Sequence, residues 1–113
     1  MSWDFELIDG PYGGVTEGPV WDGSGVLFTH IPQSKILRFD PKKGSSTVFR
    51  ENTNQANGLA RTKDGVIFAC EGDARRVVLY KGSSACFCKE ICVRATGPLT
   101  INVDVLKRKF NRW

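Results

Sequence analysis

The single histidine, His30, and the thiol cluster Cys86, Cys88 and Cys92 are the residues whose types most readily do chemistry. A catalytic histidine needs a partner acid or nucleophile within hydrogen-bond reach, and no spacing in the chain guarantees one. His30 therefore reads as a strand-end residue, with contact to a substrate as its functional alternative. The run C-x-C-x3-C invites zinc, but structural zinc prefers C-x2-4-C pairs joined by a second pair or a histidine. Only Cys70 and the distant His30 remain to complete such a set. On a strand Cys86 and Cys88 would point to one face about 7 Å apart, an awkward span for a disulfide. Inert thiols suit this spacing, with a metal-binding Cys module as the alternative. The glycines mark hairpins rather than a phosphate-cradling loop, and no Ser/His/Asp arrangement can be assembled. Glu17 and Asn57 share another feature: each immediately precedes a glycine that opens an apolar segment.

The elements that must position these residues form a repeat. Gly18, Gly25, Val26 and Phe28 recur 40 positions later as Gly58, Gly65, Val66 and Phe68. After a one-residue slip, Ile36, Leu37 and Phe39 are answered by Val77, Val78 and Tyr80. Short alternating segments separated by Gly and Pro predict strands over 18–21, 26–31, 35–39 and 46–50, then over 58–61, 66–70, 76–80 and 85–88. Breaks fall at Asp22-Gly23-Ser24-Gly25, at Pro32-Gln33-Ser34 and at Pro41 to Gly44. Four strands in about 40 residues is the period of a propeller blade, whose faces are buried against neighbouring blades. A sandwich can show similar strand spacing, but here the identity runs through loop and strand together. Trp21, Phe28, Phe39, Phe49 and Phe68 alternate along these strands as blade core rather than as a platform for stacked bases. The fold class expected is all-β.

Composition narrows the class. The 113 residues carry a net charge of +4, but the cations cluster at Lys42-Lys43, Arg75-Arg76 and the 107–112 tail, as solvated surface does. No nucleic-acid partner is expected. The N-terminus lacks a positive region followed by an apolar run, and no stretch approaches the roughly 20 apolar residues of a membrane span. No membrane partner is expected, and a cytoplasmic location follows. Cys70 is the first of four cysteines, so the long N-terminal stretch has no disulfide framework.

Five spaced motifs now carry a resemblance. Glu17-Gly18-Pro19-Val20-Trp21, the 26–32 segment VLFTHIP and Ile36-Leu37-Arg38-Phe39-Asp40 resemble the amino-terminal blade of the senescence marker protein, gluconolactonase and luciferin-regenerating enzyme family. Ala56-Asn57-Gly58-Leu59-Ala60, with Asp64-Gly65, Ala69-Cys70-Glu71-Gly72 and Arg75-Arg76-Val77, resembles the second blade of its bacterial gluconolactonase-like members. The resemblance implies a six-bladed propeller that opens sugar lactones with a divalent metal in the central channel, calcium before zinc or magnesium. It implies that Glu17 is a metal ligand. The family's further ligands, two Asn and an Asp, come from later blades. Calcium takes six to eight oxygens, so one carboxylate cannot hold it tightly. Asn57 occupies the place in the second unit that Glu17 occupies in the first, and is read either as a channel residue toward substrate or as a residue serving the turn before Gly58. His30 stands where family members commonly show Asp.

The expected organisation is a lead-in strand over 1–16, one blade over 17–56, a second over 57–96 and a divergent basic tail over 97–113. The motifs fade after about Gly82, and Gly97-Pro98-Leu99 only echoes a third unit. The reading is an incomplete propeller and a truncated, inactive product of a lactonase gene. Its alternative is a non-catalytic fragment that self-associates or binds proteins through open blade edges.

Overall fold

The computed structural model describes residues 2–80. The expected strand over 85–88, the thiols Cys86, Cys88 and Cys92, and the 97–113 tail lie outside the described residues. Seven strands are formed: β1 Thr16–Trp21, β2 Val26–His30, β3 Lys35–Asp40, β4 Ser45–Arg50, β5 Ala56–Arg61, β6 Ile67–Glu71 and β7 Arg76–Tyr80. They make two antiparallel meanders, β1-β2-β3-β4 and β5-β6-β7. Among the described residues the only helical turn is the 3-10 segment Ile31–Gln33, where Pro32 ends β2 and Ser34, in the left-handed region at φ 51°, starts the return.

Alternation along the strands produces one core between the sheets. Leu27 and Ile36 of the first meet Ala56, Ile67, Ala69, Val78 and Tyr80 of the second, with Val20, Phe49 and Leu59 closing the margin. Full burial of each large aliphatic side chain contributes about 1.5–3 kcal/mol. The Arg50 guanidinium at the end of β4 lies 4.9 Å from the centre of the Tyr80 ring, tying the outer strand of one sheet to the other.

The sheets come closest at their first strands. A Cβ on Gly18 would stand 2.9 Å from the Leu59 nitrogen, 3.2 Å from the Asn57 carbonyl oxygen and 3.3 Å from the Gly58 Cα. Gly18 also has φ +63°, so both the space and the backbone conformation there require glycine. Its repeat partner Gly58 has only ordinary contact with Cys70 at 3.8 Å.

The strand ladders relocate the slip in the repeat. Trp21 pairs with Val26 and Arg61 with Ile67, while Val26 pairs with Phe39 and Ile67 with Tyr80. Val26 thus corresponds to Ile67, Phe28 to Ala69 and His30 to Glu71, so the extra residue enters in the first hairpin of unit two and not after Phe68. The cause is the turn. In unit one the Asp22 N–H donates to Gly25 O; in unit two the Thr62 N–H reaches Val66 O, one residue further, with Gly65 at φ +87°. Asp22 closes its turn by accepting the N–H groups of Ser24 and Gly25 and the Arg38 guanidinium. Thr62 does the equivalent by accepting the Val66 N–H. The shared Gly25/Gly65 and Phe28/Phe68 identities are therefore not structural equivalences.

Of the lead-in strand expected over 1–16, residues 2–15 form no strand; the Val15 carbonyl alone extends the β1–β2 pairing, accepting the Ile31 N–H, and Thr16 opens β1. Residues 9–13 run across the face of the first sheet turned away from the core. Asp9 accepts the Tyr12 hydroxyl at 2.6 Å and the Ser46 hydroxyl of β4, and the Tyr12 ring packs edge-on against Phe28 at 5.5 Å. These hydroxyls, that of Ser46 first, hold the Asp9 carboxyl below the usual carboxylate range.

Two outcomes follow from these contacts. Gly18→Ala is expected to cost about 2 kcal/mol or more, from positive-φ strain and the backbone clash together, whereas Gly58→Ala costs under about 1 kcal/mol; urea unfolding of the two variants measures the contrast. The Arg38 guanidinium, followed by the turn amides, holds Asp22 well below the carboxylate range. A carboxyl depressed in the folded state stabilises fully above its unfolded value near 3.9 and loses that contribution as pH falls toward its folded value. Asp22→Asn should flatten the acid limb of stability between about pH 5 and pH 2, measured by urea midpoints.

Candidate functional site

Both candidate polar residues stand on the first strand of their sheet, exposed, each followed by a glycine of the close approach. Glu17 pairs with Thr29 across the ladder, and the buried Thr29 hydroxyl donates to the Glu17 carbonyl at 3.0 Å, fixing its backbone. The register then shifts between Glu17 and Val20, where Pro19, lacking an N–H, is tolerated because the ladder is already broken. In β5 the shift falls between Ala56 and Gly58, leaving Asn57 as the extra residue. Glu17 thus stays in the ladder just before the β1 irregularity, while Asn57 is itself the unpaired residue of the β5 one, and the two irregularities face each other across the Gly18 contact. Asn57 also follows the 51–55 connector and approaches the 72–75 turn: a Cβ on Gly72 would lie 3.8 Å from its amide nitrogen.

That connector is held at both ends. The Thr53 N–H donates to Ser34 O and the Gln55 N–H to the Ser34 hydroxyl, while the Gly72 and Asp73 N–H groups donate to Gln55 O and Asn54 O. Asn52, Asn54 and Gln55 all adopt positive φ, between 48° and 54°. Such conformations cost about 1–3 kcal/mol each and persist only where the surroundings impose them. Thr53 is 1% exposed, and its hydroxyl has no hydrogen-bond partner among the described residues.

Glu71 supplies the imposing contact. It is 4% exposed at the end of β6, and one of its carboxylate oxygens accepts both Arg76 Nε at 2.6 Å and Asn54 Nδ2 at 2.9 Å. It joins the connector to the β6–β7 hairpin and pairs across the ladder with Ala56, the residue before Asn57. The sequence motif contained Glu71 without giving it a role; placing the repeat slip in the 62–66 turn would have aligned it with His30 and marked it.

His30 is placed differently from the other two candidates. It is 4% exposed, and its Nε2 donates to the Gly13 carbonyl at 2.7 Å beneath the Tyr12 ring. The ring thus holds the lead-in against the sheet, on the face away from the core. Cys70 lies half-buried beside Gly58, and burial raises its thiol pKa.

Glu17 and Asn57 can offer oxygen ligands to a cation or hydrogen bonds to a hydroxylated ligand. Among the described residues no group of three or more His, Cys, Asp or Glu side chains converges to hold a metal. Two oxygens do not satisfy calcium, so the described residues do not by themselves fit the complete ion site. Likewise, among the described residues no helix is long and apolar enough to cross a membrane.

In comparisons with known proteins, the family model described as the SMP-30/Gluconolactonase/LRE-like region matches residues 15–109. The match begins just before β1 and runs past Gly82. No curated protein and no solved structure matches the chain.

Glu71→Ala is expected to destabilise the fold by about 2–3 kcal/mol, because it strips a partly buried guanidinium and a strained connector of their shared acceptor. Glu71→Gln should retain part of that through its carbonyl oxygen. Thermal unfolding of both variants tests the order.

Proposed function

Because the chain belongs to the SMP-30/gluconolactonase/LRE-like family, we propose that it is a gluconolactonase-like protein whose Glu17 is the first blade's contribution to a sugar-lactone site. The observation that carries this reading is the placement of Glu17: the carboxylate of the matched EGPVW motif is exposed on the first strand beside Asn57. The complete fold in this reading is a six-bladed propeller, with the two sheets as its first two blades. A divalent metal, calcium before zinc or magnesium, would in this family polarise a lactone carbonyl and acidify a bound water.

The chain's own residues supply orientation. The Thr29 hydroxyl fixes the Glu17 backbone, the Gly18 contact sets Asn57 beside it, and the Glu71 cluster supports the connector that delivers Asn57. Asn57 then offers an amide to lactone hydroxyls. Turnover by these residues is expected to be low, since they bring two oxygen donors toward an ion that takes six to eight.

Ring opening of gluconolactone, followed with and without added calcium, tests the reading. Any rate above the spontaneous reaction should depend on calcium and vanish in Glu17→Ala while the fold is retained. A calcium-dependent rate that survives Glu17→Ala contradicts the assignment. Ring opening no faster than background at any calcium level favours a non-catalytic protein of the same family.

A further inference from the structure

The first residues of the chain have a strand pattern without a sheet. In Ser2–Ile8 the apolar Trp3, Phe5 and Leu7 alternate with Asp4 and Glu6, as one-sided strands do. They are 74%, 90% and 69% exposed, and no residue from 2 to 8 has a ladder partner among the described residues. Once extended as a strand, the segment would carry these three large apolar side chains on one face, which water solvates poorly.

A receiving edge of matching chemistry is present on the same molecule. β4 is the outer strand of the first sheet. Its bulge at Phe49 leaves 45–48 as a regular edge, and that stretch contains neither Pro nor Lys, the residues that usually block edge pairing. Val48 is 49% exposed. Lys42 and Lys43 lie in the turn that leads into the strand, exposed and in no ion pair among the described residues, whereas the charged side chains of 2–8 are acids only. Charge and apolar character are complementary.

We propose that Ser2–Ile8 of one copy adds as an edge strand to β4 of a second copy, and reciprocally. The exit point of the segment favours exchange. Asp9 is anchored to Ser46 on the face of β4, and Ile8 still lines the shallow cavity over that face with Tyr12, Phe28 and Phe39. Pairing with its own β4 edge would require the segment to turn off the face on which Asp9 and Ile8 lie. Because each segment leaves beside the edge that receives its partner's, a two-fold axis closes both pairings at once and yields a dimer rather than a filament. This pairing does not depend on lactone chemistry, and its test involves no activity.

Sedimentation equilibrium of the full chain over about a hundredfold range of concentration should show a reversible monomer–dimer equilibrium. Phe5→Pro, which removes one ladder donor at an exposed position, should weaken the dimer about tenfold or more. Glu6→Lys should weaken it as well, and Glu6→Lys combined with Lys43→Glu should restore it. A concentration-independent monomer, as own-edge pairing would give, overturns the proposal. So does a dimer indifferent to both Phe5→Pro and Glu6→Lys.

Discussion

Everything that concerns the site depends on how closely two strands approach each other without a side chain between them. At Gly18 the backbone of β1 comes within van der Waals reach of Asn57, Gly58 and Leu59 in β5. Any Cβ at Gly18 would meet backbone, which cannot rotate away. The apolar core between the sheets holds them together, but this contact sets where their first strands lie relative to one another. Glu17 and Asn57 are neighbours because the residues that follow them touch.

Around that contact the polar groups are supporting structure rather than chemistry. Thr29 holds Glu17 from behind, Glu71 gathers Arg76 and Asn54, and Ser34 receives the connector from the other sheet. The connector's run of positive φ values is what a short link needs in order to turn from the outer strand of one sheet into the first strand of the next. The strain there is offset by hydrogen bonds on both sides. His30 belongs to a different arrangement, on the opposite face, where it secures the lead-in with Tyr12 and Asp9.

The seven described strands were legible from alternation and turn residues, and their boundaries lie within two residues of those expected. The matching positions of Glu17 in β1 and Asn57 in β5 were legible too, because no insertion separates these strands in the repeat, although the ladder pairs the first and not the second. What misled was identity: Gly65 and Phe68 match Gly25 and Phe28 in letters, while the longer Thr62 turn shifts the ladder by a residue. Turn length is set by which carbonyl the Thr62 N–H finds, and letters do not record that. The role of Glu71 was hidden for the same reason. The lead-in shows the opposite failure, since its alternating pattern is that of a strand but it forms none among the described residues. Alternation reports a one-sided face and leaves open what covers it.

The central claim is that the Gly18 backbone abuts β5 and so brings Glu17 beside Asn57. In an isotopically labelled chain, nuclear Overhauser contacts of the Gly18 α protons report this directly. A strong contact to the Leu59 amide proton is expected, together with the ladder contacts of both sheets. Intact ladders in each sheet with no contact between Gly18 and β5 would contradict it.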